Sequence, residues 1–176
     1  MRLLVRAAPL LLLLAGCHRS APEPAPSAAL DRSGLTAVVG RRVRGDSSAI
    51  PGARPQSSWL VSPPADSGAA WSLHHLTWRG RDVILLQREA ARDGALPVWA
   101  VTDAGYLPSL AQPWRLASSC GYGESSDPRL LAVARNANTP QLTDIRAAWV
   151  ANLVTGRIDT ATTTGLRCVN QGFGAD

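Results

Sequence analysis

The 176-residue chain has no lysine, one phenylalanine, two tyrosines, one methionine, three histidines and three cysteines, and only 18% of it is charged. With 45% hydrophobic residues it is too apolar for an intrinsically disordered chain. It shows no glycine period of the collagen kind and no sustained heptads, which excludes fibrous readings. No internal repeat is visible. The apolar content suffices for one globular domain and not for two. Because lysine is missing, all 18 basic residues are arginine, against 13 Asp and Glu, for a net charge of +5. Arginine is abundant here together with alanine, glycine and proline, as GC-rich coding would give, so the positive charge reads as base composition and no nucleic-acid partner is expected. From Trp71 to Asp176 the count is 10 Arg against 9 acids, a balanced surface.

Long hydrophobic runs are missing too. Met1-Arg-Leu-Leu-Val-Arg6 is followed by the apolar stretch Ala7–Leu14 and then Ala15-Gly16-Cys17. This stretch is well short of the ~20 residues of a membrane span, and Arg6 and Pro9 interrupt it. A basic start, a short apolar run and small residues ahead of a cysteine describe a secretory leader, residues 1–16. The tetrad Leu14-Ala15-Gly16-Cys17 resembles the lipobox of bacterial lipoproteins. That resemblance implies cleavage before Cys17, lipid on its sulfur and an acylated amino group, with several acyl chains holding the protein on the membrane at ~0.8 kcal/mol per buried methylene. Removal of Arg2 and Arg6 with the leader lowers the net charge to +3. His18 after the cysteine, where an aspartate would signal retention, implies the outer membrane facing the periplasm. With Cys17 committed to lipid, Cys120 and Cys168 remain as a pair in an oxidising compartment and are expected to form a disulfide. A catalytic thiol is the alternative, and no persuasive histidine partner is evident for it.

Residues 17–34 read as a lipidated tether. Prolines 22, 24 and 26 favour an extended path of ~3.1 Å per residue, enough for ~35 to 40 Å of reach. Residues 35–70 read as poorly ordered and rich in Pro, Ser and Gly, with one weak strand over Leu35–Val43. Arg41, Arg42 and Arg44 suit either a solvated face or anionic headgroups at ~1 kcal/mol per charge. A loop of that length inside a compact domain is unusual, so the folded unit is expected to begin near Trp59 or Trp71.

From Trp71 to Asp176 short apolar runs alternate with turn signals. Trp71–Trp78 and Val83–Arg88 form a hairpin across Arg79-Gly80-Arg81-Asp82, and Asp93-Gly94 leads to a strand over Pro97–Thr102. Leu130–Arg135 is a strand candidate, although Asp127-Pro128 before it is also a helix-start signal. Ile145–Leu153 fits a period of two or of four, and the Thr155-Gly156 turn with the alternating Arg157–Thr162 after it favours strands. Gly165–Val169 is the last strand. The fold class is therefore mainly β: a small antiparallel sheet, sandwich or meander with room for one short helix.

Chemistry is sparse. His18 lies in the tether, while His74 and His75 are adjacent on a strand and point to opposite faces, so no metal site is expected. There is no Gly-x-Ser-x-Gly elbow. The glycine-rich Cys120–Asp127 stretch has neither the lysine of a phosphate loop nor a dinucleotide spacing, and no cofactor is expected. The carboxylate pairs Glu124 with Asp127 and Asp103 with Asp144 are the candidates for hydrolytic acid-base work. Six tryptophans are the oddity. Trp71, Trp78, Trp99 and Trp149 fall in expected strands and suit a small core. Trp59 and Trp114, in loop contexts, with Arg115 beside the latter, are the candidate binding residues for a protein partner or sugar rings. The leading expectation is a membrane-anchored, non-enzymatic binding domain engaging a protein or cell-wall partner, of which an inhibitor or immunity protein is one concrete version. The alternatives are a hydrolase using a carboxylate pair and a structural envelope component.

Overall fold

The computed structural model describes residues 29–45, 48–61 and 68–174. The leader, Cys17, His18 and the three tether prolines lie outside the described residues. A 3-10 turn at Thr36–Val38 precedes twelve strands: β1 Arg42–Arg44, β2 Arg54–Val61, β3 Trp71–Trp78, β4 Arg81–Asp93, β5 Leu96–Tyr106, β6 Trp114–Ala117, β7 Cys120–Gly121, β8 Leu130–Arg135, β9 Gln141–Leu142, β10 Ile145–Asn152, β11 Arg157–Thr160 and β12 Arg167–Val169. They form three antiparallel sheets, ordered β1-β5-β4-β3-β2, β11-β10-β8-β6 and β7-β12-β9. The fold is mainly β, as its residue pattern predicts.

The chain crosses from β3 to β4 through Arg79 and Gly80, both with positive φ of 51° and 73°. This is the conformation of the two-residue hairpin turns whose twist matches that of the strands. The Arg79 guanidinium sits 4.5 Å over the Trp78 ring, beside the turn.

Two sheets pack face to face. The core between them holds Trp71 and Leu73 of β3, Ile84 and Leu86 of β4, Leu131 and Val133 of β8, and Trp149 of β10. Their neighbours along the same strands point outward, yet they are buried as well. Val83, Leu85 and Val101 on the far side of the five-stranded sheet are covered by Leu35, Val38, Ala49 and Ile50. On the far side of the four-stranded sheet, Ala132, Ala134 and Ala148 lie under the three-stranded sheet with Leu142, Leu166 and the Cys120–Cys168 pair. Strands buried on both faces read as continuous apolar runs instead of alternating ones. This is why Val83–Leu86 and Leu130–Ala134 carry no polar residue.

The cover on the five-stranded sheet differs from the expectation for residues 35–70 and for the last part of the tether. The Leu35–Val43 patch is a 3-10 turn and then β1, which pairs with β5, and β2 pairs with β3 over its whole length. Leu30 is buried against Gly105, where a Cβ would stand 2.6 Å from that of Leu30, so glycine is what permits the approach. Arg32 bonds both carboxylate oxygens of Asp103, at 3.0 and 2.7 Å, and the Ile158 carbonyl at 2.8 Å. The described part of this segment packs on the sheet because the outer face is apolar and must be covered: Leu35 and Ile50 are both almost fully buried, at about 1.5 to 3 kcal/mol each.

Cys120 and Cys168 are bonded, directly opposite one another on β7 and β12. Leu130–Arg135 and Ile145–Asn152 are strands, which removes the helical alternative for both.

Candidate functional site

At one end of the interface between the two large sheets lies a cleft of about 420 Å³, within the range of small-ligand sites. Strand β2 supplies Ser57 and Trp59, and β3 supplies His75. The register explains their common direction. Trp59 is opposite Leu73 and Ser57 is opposite His75, so all four project from the core-facing side of the sheet. Leu110 and Gln112, from the connection after β5, form a second wall, and β6 contributes Trp114, Arg115 and Leu116. Ser118 and Gln171 close the side near the disulfide-bonded sheet.

The three residues expected to bind a partner therefore converge. Trp59 and Trp114 stand on strands rather than in the loops expected for them, one on an edge strand of each large sheet. Both misplacements share a cause: β2 is exposed and polar over Arg54–Ser58, and β6 spans only four residues, so neither displays the alternation that marks a strand.

Each of these side chains is held. The Trp59 indole Nε1 donates to the Pro128 carbonyl at 3.1 Å, across the mouth of the sandwich. Arg146 lies 5.7 Å over the Trp114 ring. Arg115 donates from Nη1 to Asn170 Oδ1 at 3.3 Å, and the buried Asn170 is itself fixed through its amide to the Ala137 and Thr139 carbonyls at 2.8 and 2.9 Å. His75 Nε2 meets Asp82 Oδ1 at 2.9 Å, which orients the imidazole. These anchors reduce the ordering cost of binding.

Ser57, His75 and Asp82 lie on three neighbouring strands, β2, β3 and β4. The His75–Asp82 bond is present, and among the described residues no hydrogen bond between Ser57 and His75 accompanies it. His75 went unassigned in the sequence, although its place two residues beyond Leu73 and four beyond Trp71 marks it as core-facing. His74 points the other way, bonding Ser72 Oγ at 3.1 Å in a separate hollow with Leu60 and Trp99. The opposite-face expectation for the two histidines matches this arrangement. Among the described residues no cluster of His, Cys, Asp or Glu is able to hold a metal.

The carboxylates read as acid-base candidates are engaged elsewhere. Burial alone would raise the Asp103 pKa, but the Arg32 guanidinium and the N–H groups of Ile158 and Ala104 outweigh it and hold the carboxyl below its ordinary value. Asp144 is paired with Arg135 at 3.7 Å. The Arg129 side chain bonds Asp127 and lowers its pKa as well. None of these acids, nor Glu124, lines the cleft. Of the other tryptophans, Trp71, Trp99 and Trp149 are buried, and Trp78 stacks on Tyr106 with ring centroids 6.4 Å apart.

Among the described residues no helix is long and apolar enough to cross a membrane. A scan against protein-family models and searches of the curated proteins and of the solved structures found no match to this chain.

Proposed function

We propose that this protein is a lipoprotein of the outer membrane, anchored through lipid on Cys17 and facing the periplasm, whose β-sandwich is a non-enzymatic binding domain that engages a macromolecule through the cleft between Trp59 and Trp114. The anchor rests on Leu14-Ala15-Gly16-Cys17. The binding reading rests on one observation: Trp59 on one large sheet and, 55 residues later in the chain, Trp114 with its neighbour Arg115 on the other line the same cleft, Trp59 and Arg115 held by hydrogen bonds and Trp114 beneath Arg146. Tryptophan and arginine are the residues most enriched where binding energy concentrates.

Mass spectrometry of the mature protein tests the anchor, and an unmodified Cys17 sulfur overturns it. Photo-crosslinking from position 112 in intact cells tests the cleft. The expected result is a discrete adduct lost on Trp114→Ala with the fold intact, and an adduct indifferent to Trp114 refutes the reading. An adduct with a secreted cell-wall hydrolase would make the protein an inhibitor or immunity factor.

A hydrolase is the second reading, carried now by the row Ser57, His75 and Asp82 in place of a carboxylate pair. Covalent labelling of Ser57 by a fluorophosphonate, abolished by His75→Gln, is the result that would favour it.

A further inference from the structure

We infer that the occupant of the cleft is an acidic glycan, a chain of pyranose rings bearing carboxylate groups. The inference rests on the reading of the cleft as the binding site and narrows it to one ligand chemistry.

The indoles come first. Trp59 has already given its only hydrogen-bond donor to the Pro128 carbonyl, so what it offers a ligand is apolar ring surface. Trp114 likewise presents ring surface to the cleft while Arg146 lies over the indole. An apolar ring surface suits the C–H face of a pyranose, as aromatic side chains suit any ligand with an apolar body and polar edges.

The polar lining comes second. Ser57, Ser118, Gln112 and Gln171 bring hydroxyls and primary amides, groups that both donate and accept. Sugar hydroxyls demand both roles within a few ångströms. A purely apolar ligand would strip these groups of water and leave them unpaired, which opposes binding.

Charge decides the class of sugar. Arg115 is on the lining, and no Asp or Glu is. Asp82, behind His75, is occupied by the imidazole and by the Thr77 hydroxyl at 3.4 Å. Asn170 holds one Arg115 nitrogen and leaves the rest of the planar fork for a carboxylate, the group it matches best. Many neutral-sugar hydroxyls would be served equally well by a carboxylate on the protein, and the cleft has none.

A peptide adding as a strand beside Trp59 is the competing occupant, and the edge resists it. Strand β2 carries Pro55, which lacks an N–H, and its register with β3 shifts between Pro55 and Ser57. Both features interrupt the row of backbone groups that strand addition needs.

The test uses the full lipidated chain in detergent micelles and three probes: an alginate hexamer, cellohexaose and hexaglutamate. Tryptophan fluorescence and calorimetry read the affinity. Alginate should bind, cellohexaose should bind about tenfold more weakly, and hexaglutamate should not bind, a factor of ten corresponding to about 1.4 kcal/mol. Trp114→Ala should abolish the alginate signal and Trp114→Phe should retain part of it, which separates loss of stacking from loss of fold. Arg115→Gln should erase the preference for alginate over cellohexaose and flatten the salt dependence. Equal binding of the two sugars, unaffected by Arg115→Gln, overturns the acidic assignment. Binding of hexaglutamate without either sugar overturns the glycan assignment. Silence from all three probes beside a Trp114-dependent adduct in cells overturns this inference and leaves the cleft as a site for a protein; silence from the probes and no such adduct overturns both.

Discussion

Arg32 and Asp103, 71 residues apart, form a two-point ion pair in which the carboxylate is almost wholly buried and the guanidinium is about one-third exposed. Asp103 also accepts the Ile158 N–H at 2.8 Å, so this one acid ties the N-terminal segment, β5 and β11 together. Removing one member of a buried pair leaves the other uncompensated, at a cost of about 3 to 5 kcal/mol. The exposure of Arg32 places Asp103→Ala at the lower end, about 3 kcal/mol. Urea unfolding followed by tryptophan fluorescence measures it, and a midpoint within 0.5 kcal/mol of the parent on that scale contradicts it.

The same acid predicts the response to pH. Its folded pKa lies below the ordinary value of 3.8. A depressed carboxyl contributes stability that is complete above its unfolded pKa and is lost as the pH falls through the folded one. Asp127, held down by Arg129, acts in the same sense. Stability should therefore be level from neutrality to about pH 5 and then decline toward pH 2. In Asp103→Asn that decline should be shallower. Parallel curves for parent and variant would contradict the assignment.

The disulfide closes a sequence separation of 48 residues. In the chain-entropy account a loop of that size is worth about 4 kcal/mol. Cys120→Ser with Cys168→Ser, or reduction of the parent, should lower the unfolding free energy by about that amount and leave the five-stranded sheet formed, since its core lies elsewhere. A scan showing no change between oxidised and reduced protein would contradict this.

The described residues between Leu30 and Ile50 are integral to the fold. Ile50 is 2% exposed and packs with Leu35 and Val38 on the outer face of the five-stranded sheet. Ile50→Ala should cost about 3 kcal/mol, within the range for large-to-small core changes. A chain beginning at Trp71 would lack β1, β2 and this cover. It should be insoluble or bind a hydrophobic dye strongly, and a soluble, cooperatively folding product would refute the argument.

The longer strands from Trp71 onward are legible because their apolar runs and the turn residues between them are local signals, whereas β6, β7 and β9, of two to four residues, are too short to show a period. Nor is the cover legible. Leu35, Val38, Ala49 and Ile50 reach the sheet from short turns, with no period to announce them, amid serine, glycine and proline. Strand β2 is polar over Arg54–Ser58 and is a strand because β3 pairs with it, a tertiary cause that no window of sequence contains. At the site, Trp59, Trp114 and Arg115 stand out in the sequence by residue type alone. Their meeting, and the parts of Gln112, Gln171 and Asn170, depend on how two sheets abut. The burial of Asp103 follows from a partner 71 positions away.

The attachment of Arg32 has a mechanical side. Any pull on the chain upstream of Leu30 meets the buried Leu30 and the Asp31–Tyr106 bridge and then this clamp, which grips β5 and β11, on separate sheets, at once. Load entering there is divided between a strand of each large sheet instead of falling on one strand alone. A domain anchored at its amino end, as proposed above, would meet tugging from that direction with both sheets at once.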